Sequence, residues 1–351
     1  MDYFFFKFIL VKVNPMVRLF FCTDIHGSEA VWRKFLNSAK YLKADTLIMG
    51  GDITGKRIVP IIKQEDGTWK GSIYGLDKEA VIMTTEDEIL DFERRARYSG
   101  CYPYRLTEDE NAILSSSDSL TTDQKMIKGG PLDKLFDQVE AEGLQLWIDM
   151  IDDITEDGSR RVPEGTKIII CPGNDDKFAI DEIIKKDPRV IYGENTVVHL
   201  DTHHEMLSYG WTNPTPWNTY RECSEEKIEE KLVELVSLVK NMKNTVFCLH
   251  CPPYDSIIDE APLLKPDLTY VGYSGGEPIR GPVGCKAVRK VIEEYQPLLG
   301  LHGHIHESPG YVKIGRTYCL NPGSEYTEAI LKGFLVELEK GKMKRMQRVE
   351  A

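Results

Sequence analysis

The sequence lacks the cysteine spacing of a zinc cage or a disulfide framework. Eight cysteines are present, and no Cys-x-x-Cys pair is completed by a second one. Several lie inside apolar, strand-like runs, among them Cys22 and Cys248. A reduced thiol in such a run behaves as a small core residue. We therefore expect a reducing compartment and a cytoplasmic protein.

The sequence also lacks a long apolar run and an excess of positive charge. Its apolar start, residues 1–11, has no basic leader or small-residue cleavage site and is too short to cross a bilayer. The net charge is -12, from 56 Asp and Glu against 44 Lys and Arg. This charge argues against a broad basic surface for nucleic acid. We expect no membrane partner, and we rank small phosphorylated substrates above nucleic-acid polymers.

Short apolar runs that end in polar residues organise the rest of the chain. Residues 17–22, 47–49, 167–171 and 245–249 have the pattern of buried strands, while 28–40 and 224–243 have helical spacing. This alternation predicts an α/β fold. Residues 1–15 precede the first strand, and we expect them to be an extension outside the core.

A long insertion separates two parts of the predicted core. More than a hundred residues lie between Asp52 and Asn174, far more than one crossover between strands needs. The segment contains a hairpin signal at Asp66-Gly67, a capping box at Thr85 and a helical pattern over 132–154, with a loop expected at 115–117. We predict a core of residues 16–56 and 164–351, and a mostly helical insertion at 57–163 that covers the crevice.

Five polar clusters stand at the ends of apolar runs and offer seven side chains with oxygen or imidazole donors. Side chains at the carboxyl ends of parallel strands converge in one crevice, so clusters distant in sequence can form one site. Carboxylates and imidazoles suit manganese, iron or zinc. The seven candidate metal ligands are Asp24, His26, Asp52, Asn174, His250, His304 and His306.

The order of these clusters carries more information than any one of them. Asp-x-His, Gly-Asp, Gly-Asn, His and Gly-His-x-His follow one another in residues 17–56 and 164–330, and this series resembles the calcineurin-like metallophosphoesterase superfamily. The resemblance implies a four-layer α-β-β-α sandwich, in which two β-sheets are flanked by helices. It also implies two divalent metal ions and a water, activated by both ions, for in-line attack on phosphorus.

The same resemblance assigns the ligands to the two ions. Asp24, His26 and His306 would bind the first ion. Asn174, His250 and His304 would bind the second. Asp52 would bridge the two ions, which makes it a candidate catalytic residue as well as a ligand.

One position departs from the family pattern. In many members of the superfamily a histidine follows Gly-Asn and acts on the leaving group or the substrate phosphate, but here Asp175 takes its place. We consider Asp175 a candidate catalytic residue, although nearby cations would disfavour the protonated carboxyl that a general acid needs. The change favours diesters or activated esters. The next residue, Asp176, is suited to orienting a metal ligand.

Three further residues are candidates for substrate binding. His203 and His204 precede a Pro- and Trp-rich loop at 211–217 that could border the crevice, although most loop histidines are merely exposed. Arg280 could clamp a phosphate because a guanidinium binds it bidentately. A surface salt bridge is the alternative for Arg280.

Together these features predict an enzyme that hydrolyses phosphate esters. We expect a small phosphodiester or phosphomonoester as substrate, with a nucleotide-like molecule favoured because the insertion could roof the crevice. One alternative is a single-strand nuclease, for which Arg94, Arg95, Arg97 and Tyr98 are the available basic and aromatic cluster. The other is a non-catalytic, metal-bound scaffold of the same fold.

Overall fold

A computed structural model of the chain describes residues 16–117 and 130–351. The predicted extension at 1–15 lies outside the described residues. The strands are β1 (Met16–Cys22), β2 (Thr46–Met49), β3 (Arg57–Lys63), β4 (Trp69–Gly71), β5 (Val81–Met83), β6 (Cys101–Thr107), β7 (Lys167–Ile170), β8 (Ile191–Tyr192), β9 (Thr196–His199), β10 (Glu205–Tyr209), β11 (Thr245–Leu249), β12 (Glu260–Pro262), β13 (Tyr273–Ser274), β14 (Glu277–Pro278), β15 (Arg280–Pro282), β16 (Leu299–Leu301), β17 (Gly310–Ile314), β18 (Thr317–Asn321), β19 (Lys332–Glu339) and β20 (Lys342–Glu350).

Seven α-helices lie within the same two ranges. They are α1 (Glu29–Tyr41), α2 (Glu86–Tyr98), α3 (Glu108–Ser117), α4 (Pro131–Asp149), α5 (Ala179–Lys186), α6 (Glu225–Val236) and α7 (Lys286–Tyr295). None of the helices in the described ranges is both long and apolar enough to cross a membrane.

Two six-stranded sheets form the centre of the fold. The first has the order β20-β19-β1-β2-β7-β8, and the second has the order β17-β18-β16-β11-β10-β9. In the first sheet β1, β2, β7 and β8 run parallel, and in the second β10, β11, β16 and β18 do. The four apolar runs predicted as strands are confirmed as β1, β2, β7 and β11. The α/β class is confirmed as well.

The alternation of side chains along each strand divides the apolar residues among separate clusters. On β1, Phe21 belongs to a buried cluster that also contains Val246 and Leu299 of the second sheet. Its neighbour Phe20 belongs to another cluster, formed with residues of α1, α4 and α5. The second sheet contributes to a third cluster together with α6 and α7. Burial of a side chain such as Phe20 stabilises the fold by about 1.5–3 kcal/mol.

In its described residues, 57–117 and 130–163, the insertion contains a four-stranded sheet in addition to three helices. The sheet has the order β5-β4-β3-β6, and the hairpin predicted at Asp66-Gly67 is confirmed by the antiparallel pair β3 and β4. The capping box at Thr85 is confirmed at the start of α2. Strand β6, which pairs in parallel with β3, was not among the predicted elements.

The loop expected at 115–117 is wrong, because α3 continues to Ser117. The cause lies at the start of the helix. Thr107 and Glu110 form a reciprocal pair, in which each side chain accepts a hydrogen bond from the backbone N–H of the other residue. A helix nucleated in this way extends at low cost through residues of modest helix propensity such as serine.

Candidate metal centre

The carboxyl ends of strands from both sheets bring the seven predicted ligands together. In the first sheet, Asp24 and His26 follow β1, Asp52 follows β2 and Asn174 follows β7. In the second sheet, His250 follows β11, and the histidines at 304 and 306 follow β16. The first five side chains are buried, and the last two are half-buried.

One group of donors contains Asp24, His26 and His306. The Nε2 atoms of the two histidines lie 3.1 Å apart. His306 Nε2 is 3.3 Å from Asp24 Oδ1, and His26 Nε2 is 4.0 Å from the same oxygen. One donor atom of each residue lies within 4.8 Å of the other two, which is the spacing of atoms that share an ion.

A second group contains Asp52, His250 and His304, whose donor atoms also lie within 4.8 Å of one another. His250 Nε2 is 3.3 Å from Asp52 Oδ1 and 3.1 Å from Asn174 Oδ1. The amide oxygen of Asn174 therefore adds a fourth donor to this group. Both groups combine side chains from the two sheets.

The carboxylate of Asp52 connects the two groups. Its Oδ2 lies 3.8 Å from His26 Nε2, in the first group, while its Oδ1 faces His250 in the second. This is the position that a bridging carboxylate would need.

Two neighbouring groups fix the orientation of the second set of donors. His250 Nδ1 is 3.0 Å from the carbonyl oxygen of Gly50, so the geometry assigns the ring proton to Nδ1 and leaves Nε2 as a donor to a metal. Asn174 Nδ2 donates to Thr219 Oγ1, which in turn donates to Glu222 over 2.6 Å. The amide is thereby held with its oxygen toward His250.

Asp176 holds two of the ligand-bearing loops against each other. Its buried carboxylate accepts hydrogen bonds from the backbone N–H groups of Ile53, Thr54 and Gly173, and from the Thr54 hydroxyl. The loop after β2 is thus fastened to the loop after β7, and the role predicted for Asp176, orienting a metal ligand, stays a prediction.

The backbone at the cluster adopts conformations that most residues avoid. Asp24, His26, Asp52 and His304 all have positive φ, at 55°, 37°, 48° and 66°. Backbone conformations of this kind cluster at functional sites, although they also occur at turns elsewhere in this chain. Gly173 is required by close approach, because a Cβ there would lie 2.3 Å from Asp52 Oδ1.

The electrostatics of the cluster favour a bound cation. Burial raises the pKa of Asp52 to about 6. Burial opposes the charged form of His250, but the nearby carboxylates of Asp52 and Asp24 outweigh it and raise the pKa of His250 to about 10. The carboxylates thus hold a proton on the imidazole that a metal ion could replace. The buried oxygen and nitrogen donors fit a pair of divalent cations.

The structure does not bring His203 and His204 to this cluster. Both precede β10, whereas the ligands follow the carboxyl ends of the parallel strands, so the length of a strand separates them. His204 is buried, with Nδ1 2.9 Å from Asp201 Oδ2 and Nε2 accepting from the N–H of Gly341. His203 is exposed. These contacts give His204 a packing role.

Arg280 does not lie on any of the strand-end loops that carry the predicted ligands. It begins β15, and its side chain is exposed. The guanidinium donates to the carbonyl oxygen of Glu260 on the paired strand β12, at 2.8 Å.

One charged residue beside the cluster was missed by the sequence reasoning. Lys56 Nζ lies 2.5 Å from Asp175 Oδ2, and the backbone N–H of Asp175 donates to Asp52 Oδ1 at 2.9 Å. Asp175 also forms a third group of donors with His26 and Asp52. The available signal was the position of Lys56 four residues after Asp52, on the same strand-end loop.

Comparisons with known proteins support the fold and leave the activity open. The chain matches no protein-family model. An uncharacterized protein of Methanocaldococcus jannaschii is 34% identical over 163 residues, which cover 44% of this chain and 63% of that protein. The chain thus spans less than two thirds of this relative's length.

Solved structures provide the remaining similarity. One crystal structure aligns with 95% of this chain and 99% of its own, with a TM-score of 0.55 and 14% identity, and it shows a shared fold alone. Two Thermus thermophilus structures are more distant. One crystal structure has a TM-score of 0.44 and 12% identity, and the alignment covers 95% of this chain and 98% of that one. The sulfate thiohydrolase SoxB has a TM-score of 0.35 and 11% identity, and the alignment covers 95% of this chain and 56% of that one. The assignment of chemistry therefore depends on the residues of the site.

Proposed function

We propose that the protein is a metal-dependent phosphoesterase of the calcineurin-like superfamily, with its two sheets and flanking helices arranged as a four-layer α-β-β-α sandwich. The observation that carries this proposal is the position of Asp52, whose two carboxylate oxygens face histidines of two different donor groups. A single mononuclear site would not need a carboxylate between two complete sets of ligands.

Each residue has a distinct role in the proposed centre. Asp24, His26 and His306 hold one divalent cation. Asn174, His250 and His304 hold the other, with Asp52 between them. Bound manganese, iron or zinc ions would polarise the phosphoryl group and supply an ionised water for in-line attack.

The proposed substrate is a small phosphodiester or phosphomonoester, with a nucleotide-like molecule favoured. The insertion borders the site: the Ser28 hydroxyl donates to the carbonyl of Tyr98, and Lys177, next to Asp176, is 2.6 Å from Asp133 at the start of α4. A crevice bordered in this way suits a small molecule better than a polymer. Lys56 supplies a positive charge beside the donors, which suits an anionic substrate.

The absence of a histidine at position 175 bears on the kind of ester. Asp175 is ion-paired with Lys56, and a carboxylate in an ion pair is an acceptor and not a proton donor. We therefore propose that the enzyme acts on leaving groups that need little protonation, such as those of diesters and activated esters.

The nuclease alternative receives less support from the insertion. Arg94 is ion-paired with Asp91, Arg95 with Asp77 and Arg97 with Glu29. Arginines neutralised in this way do not form the open basic groove that a single strand requires. A cytoplasmic location remains part of the proposal, supported by eight cysteines that are all free.

The deciding experiment is hydrolysis of bis-p-nitrophenyl phosphate and p-nitrophenyl phosphate after removal of metals and reconstitution with manganese. We expect two ions per chain and turnover that favours the diester. Two bound ions without hydrolysis of either ester would support the non-catalytic scaffold and contradict the enzyme. Preferential cleavage of a single-stranded oligonucleotide would establish the nuclease instead.

A further inference from the structure

The imidazole of His26 has one ring nitrogen without a partner. Nε2 faces Asp24, Asp52 and His306, but Nδ1 is buried and makes no hydrogen bond. His250 differs, because its Nδ1 contacts the Gly50 carbonyl. A histidine that binds a metal through one nitrogen commonly donates from the other, which fixes the ring and its tautomer.

An acceptor stands opposite the unpartnered nitrogen. Asp175 Oδ2 lies 4.0 Å from His26 Nδ1, which is too long for a hydrogen bond. The backbone of Asp175 is fixed by the hydrogen bond from its N–H to Asp52. Only a rotation of the side chain, with a shift of about 1 Å, is needed to reach hydrogen-bonding distance.

Lys56 holds the same oxygen. Its ammonium lies 2.5 Å from Asp175 Oδ2, and both side chains are partly accessible, at 33% for Lys56 and 18% for Asp175. Two donors thus compete for one carboxylate, and one of them is the cation that an anionic substrate would attract.

We propose that Asp175 is a positioning residue for His26: when an anionic substrate draws Lys56 away, the carboxylate of Asp175 rotates to accept a hydrogen bond from His26 Nδ1. The hydrogen bond fixes the ring of a metal ligand, so the occupancy of the substrate position is transmitted to the metal site. The inference rests on the proposed metal-dependent function.

Two substitutions at one position separate this role from a simple effect of charge. Asp175→Asn and Asp175→Ala both remove the negative charge, but only asparagine retains an oxygen that can accept from His26 Nδ1. In the presence of inorganic phosphate, which would draw Lys56 away, we expect Asp175→Ala to weaken the binding of one of two manganese ions about 10- to 100-fold, and Asp175→Asn to remain within about 3-fold of the parent chain. Lys56→Met removes the competing donor and should bind manganese at least as tightly as the parent.

The measurement is calorimetric titration of the metal-free chain with manganese, with and without a fixed excess of inorganic phosphate, and thermal unfolding in chelator verifies that each variant is folded. Without phosphate, Asp175→Ala should bind manganese as the parent chain does. In the zinc-loaded protein, a slowly exchanging imidazole N–H resonance should be present in Lys56→Met without phosphate, should appear in the parent and in Asp175→Asn when phosphate is added, and should be absent in Asp175→Ala under both conditions. Asp66→Ala, in an exposed hairpin turn, is the matched control.

With phosphate present, equal weakening by asparagine and alanine would overturn the inference in favour of electrostatics, and unchanged affinity in both would overturn it outright. Either result, with two ions bound and esters hydrolysed by the parent chain, leaves the proposed function intact. A parent chain that binds no metal would instead contradict the proposed function itself.

Discussion

The side-chain amide of Asn174 donates from Nδ2 to Thr219 Oγ1 at 2.9 Å, and this hydrogen bond turns the amide oxygen toward His250. The two residues are far apart in sequence, and the hydroxyl is itself anchored by Glu222. The orientation of a proposed ligand thus depends on a residue that has no metal-binding chemistry of its own.

Thr219→Val should therefore weaken the second metal site without removing a ligand. The amide of Asn174 is then free to rotate, and we expect about a 10-fold loss of affinity for one ion, measured by calorimetric titration. Thr215→Val is a close control, because Thr215 donates to the same carboxylate of Glu222 and does not contact Asn174. Equal losses in both variants would assign the effect to the loop and not to Asn174.

Asp52→Asn should have the largest effect on activity. The substitution preserves the size of the side chain but removes the charge between the two donor groups. We expect ester hydrolysis to fall more than about 100-fold and bound manganese to fall below two ions per chain, measured by elemental analysis. Asp66→Asn should leave both quantities unchanged. Full activity of Asp52→Asn would contradict the bridging role.

Asp176→Asn should destabilise the fold even without metal. The amide has one acceptor where the carboxylate had two, and its NH₂ group would face the backbone N–H donors of Ile53, Thr54 or Gly173. We expect a loss of about 3 kcal/mol in the free energy of unfolding, measured by urea denaturation in chelator. The neighbouring Asp175→Asn, in a partly exposed ion pair, should lose about 1 kcal/mol or less.

Glu194 should make stability depend on pH. Burial raises the pKa of its carboxyl from 4.5 to about 7, against the opposing charge of Arg221. The folded state therefore keeps a proton that the unfolded state releases, so the contribution of Glu194 to stability is fully present below pH 4.5 and is lost as the pH rises to about 7. Over this range the parent chain should lose roughly 3 kcal/mol relative to Glu194→Gln. The measurement is the free energy of unfolding against pH, in chelator, for both proteins. Two curves that run parallel between pH 4.5 and 7 would refute the shifted pKa of Glu194.

The convergence of the ligands could be predicted from the sequence because each motif follows an apolar run. The end of such a run, and hence the end of a strand, can be recognised from neighbouring residues alone. The contacts that orient the ligands could not be predicted in this way. Thr219 acts through a side chain brought near by tertiary folding, and no local spacing marks it. Strand β6 was missed although Tyr102, Tyr104 and Leu106 alternate along it, because its partner β3 lies about 40 residues earlier.

His204 illustrates the opposite error, in which a local signal was present and was not used. An aspartate three residues before a histidine can cap a tight turn, and Asp201 accepts hydrogen bonds from the backbone N–H groups of His203 and His204 as well as facing the His204 ring. A histidine used in this way is part of the turn. Its proximity to the Trp-rich loop in sequence does not translate into proximity to the donors.

Each proposed donor group combines side chains from both sheets, so a cation held by either group would cross-link two layers that no disulfide joins. The unfolded chain would not retain such a site, and metal supply would therefore enter the folding equilibrium directly, with stability rising as the logarithm of free metal concentration. In a cell short of metal, the folded fraction of the protein would fall first. The amount of protein and its total catalytic activity would then fall together.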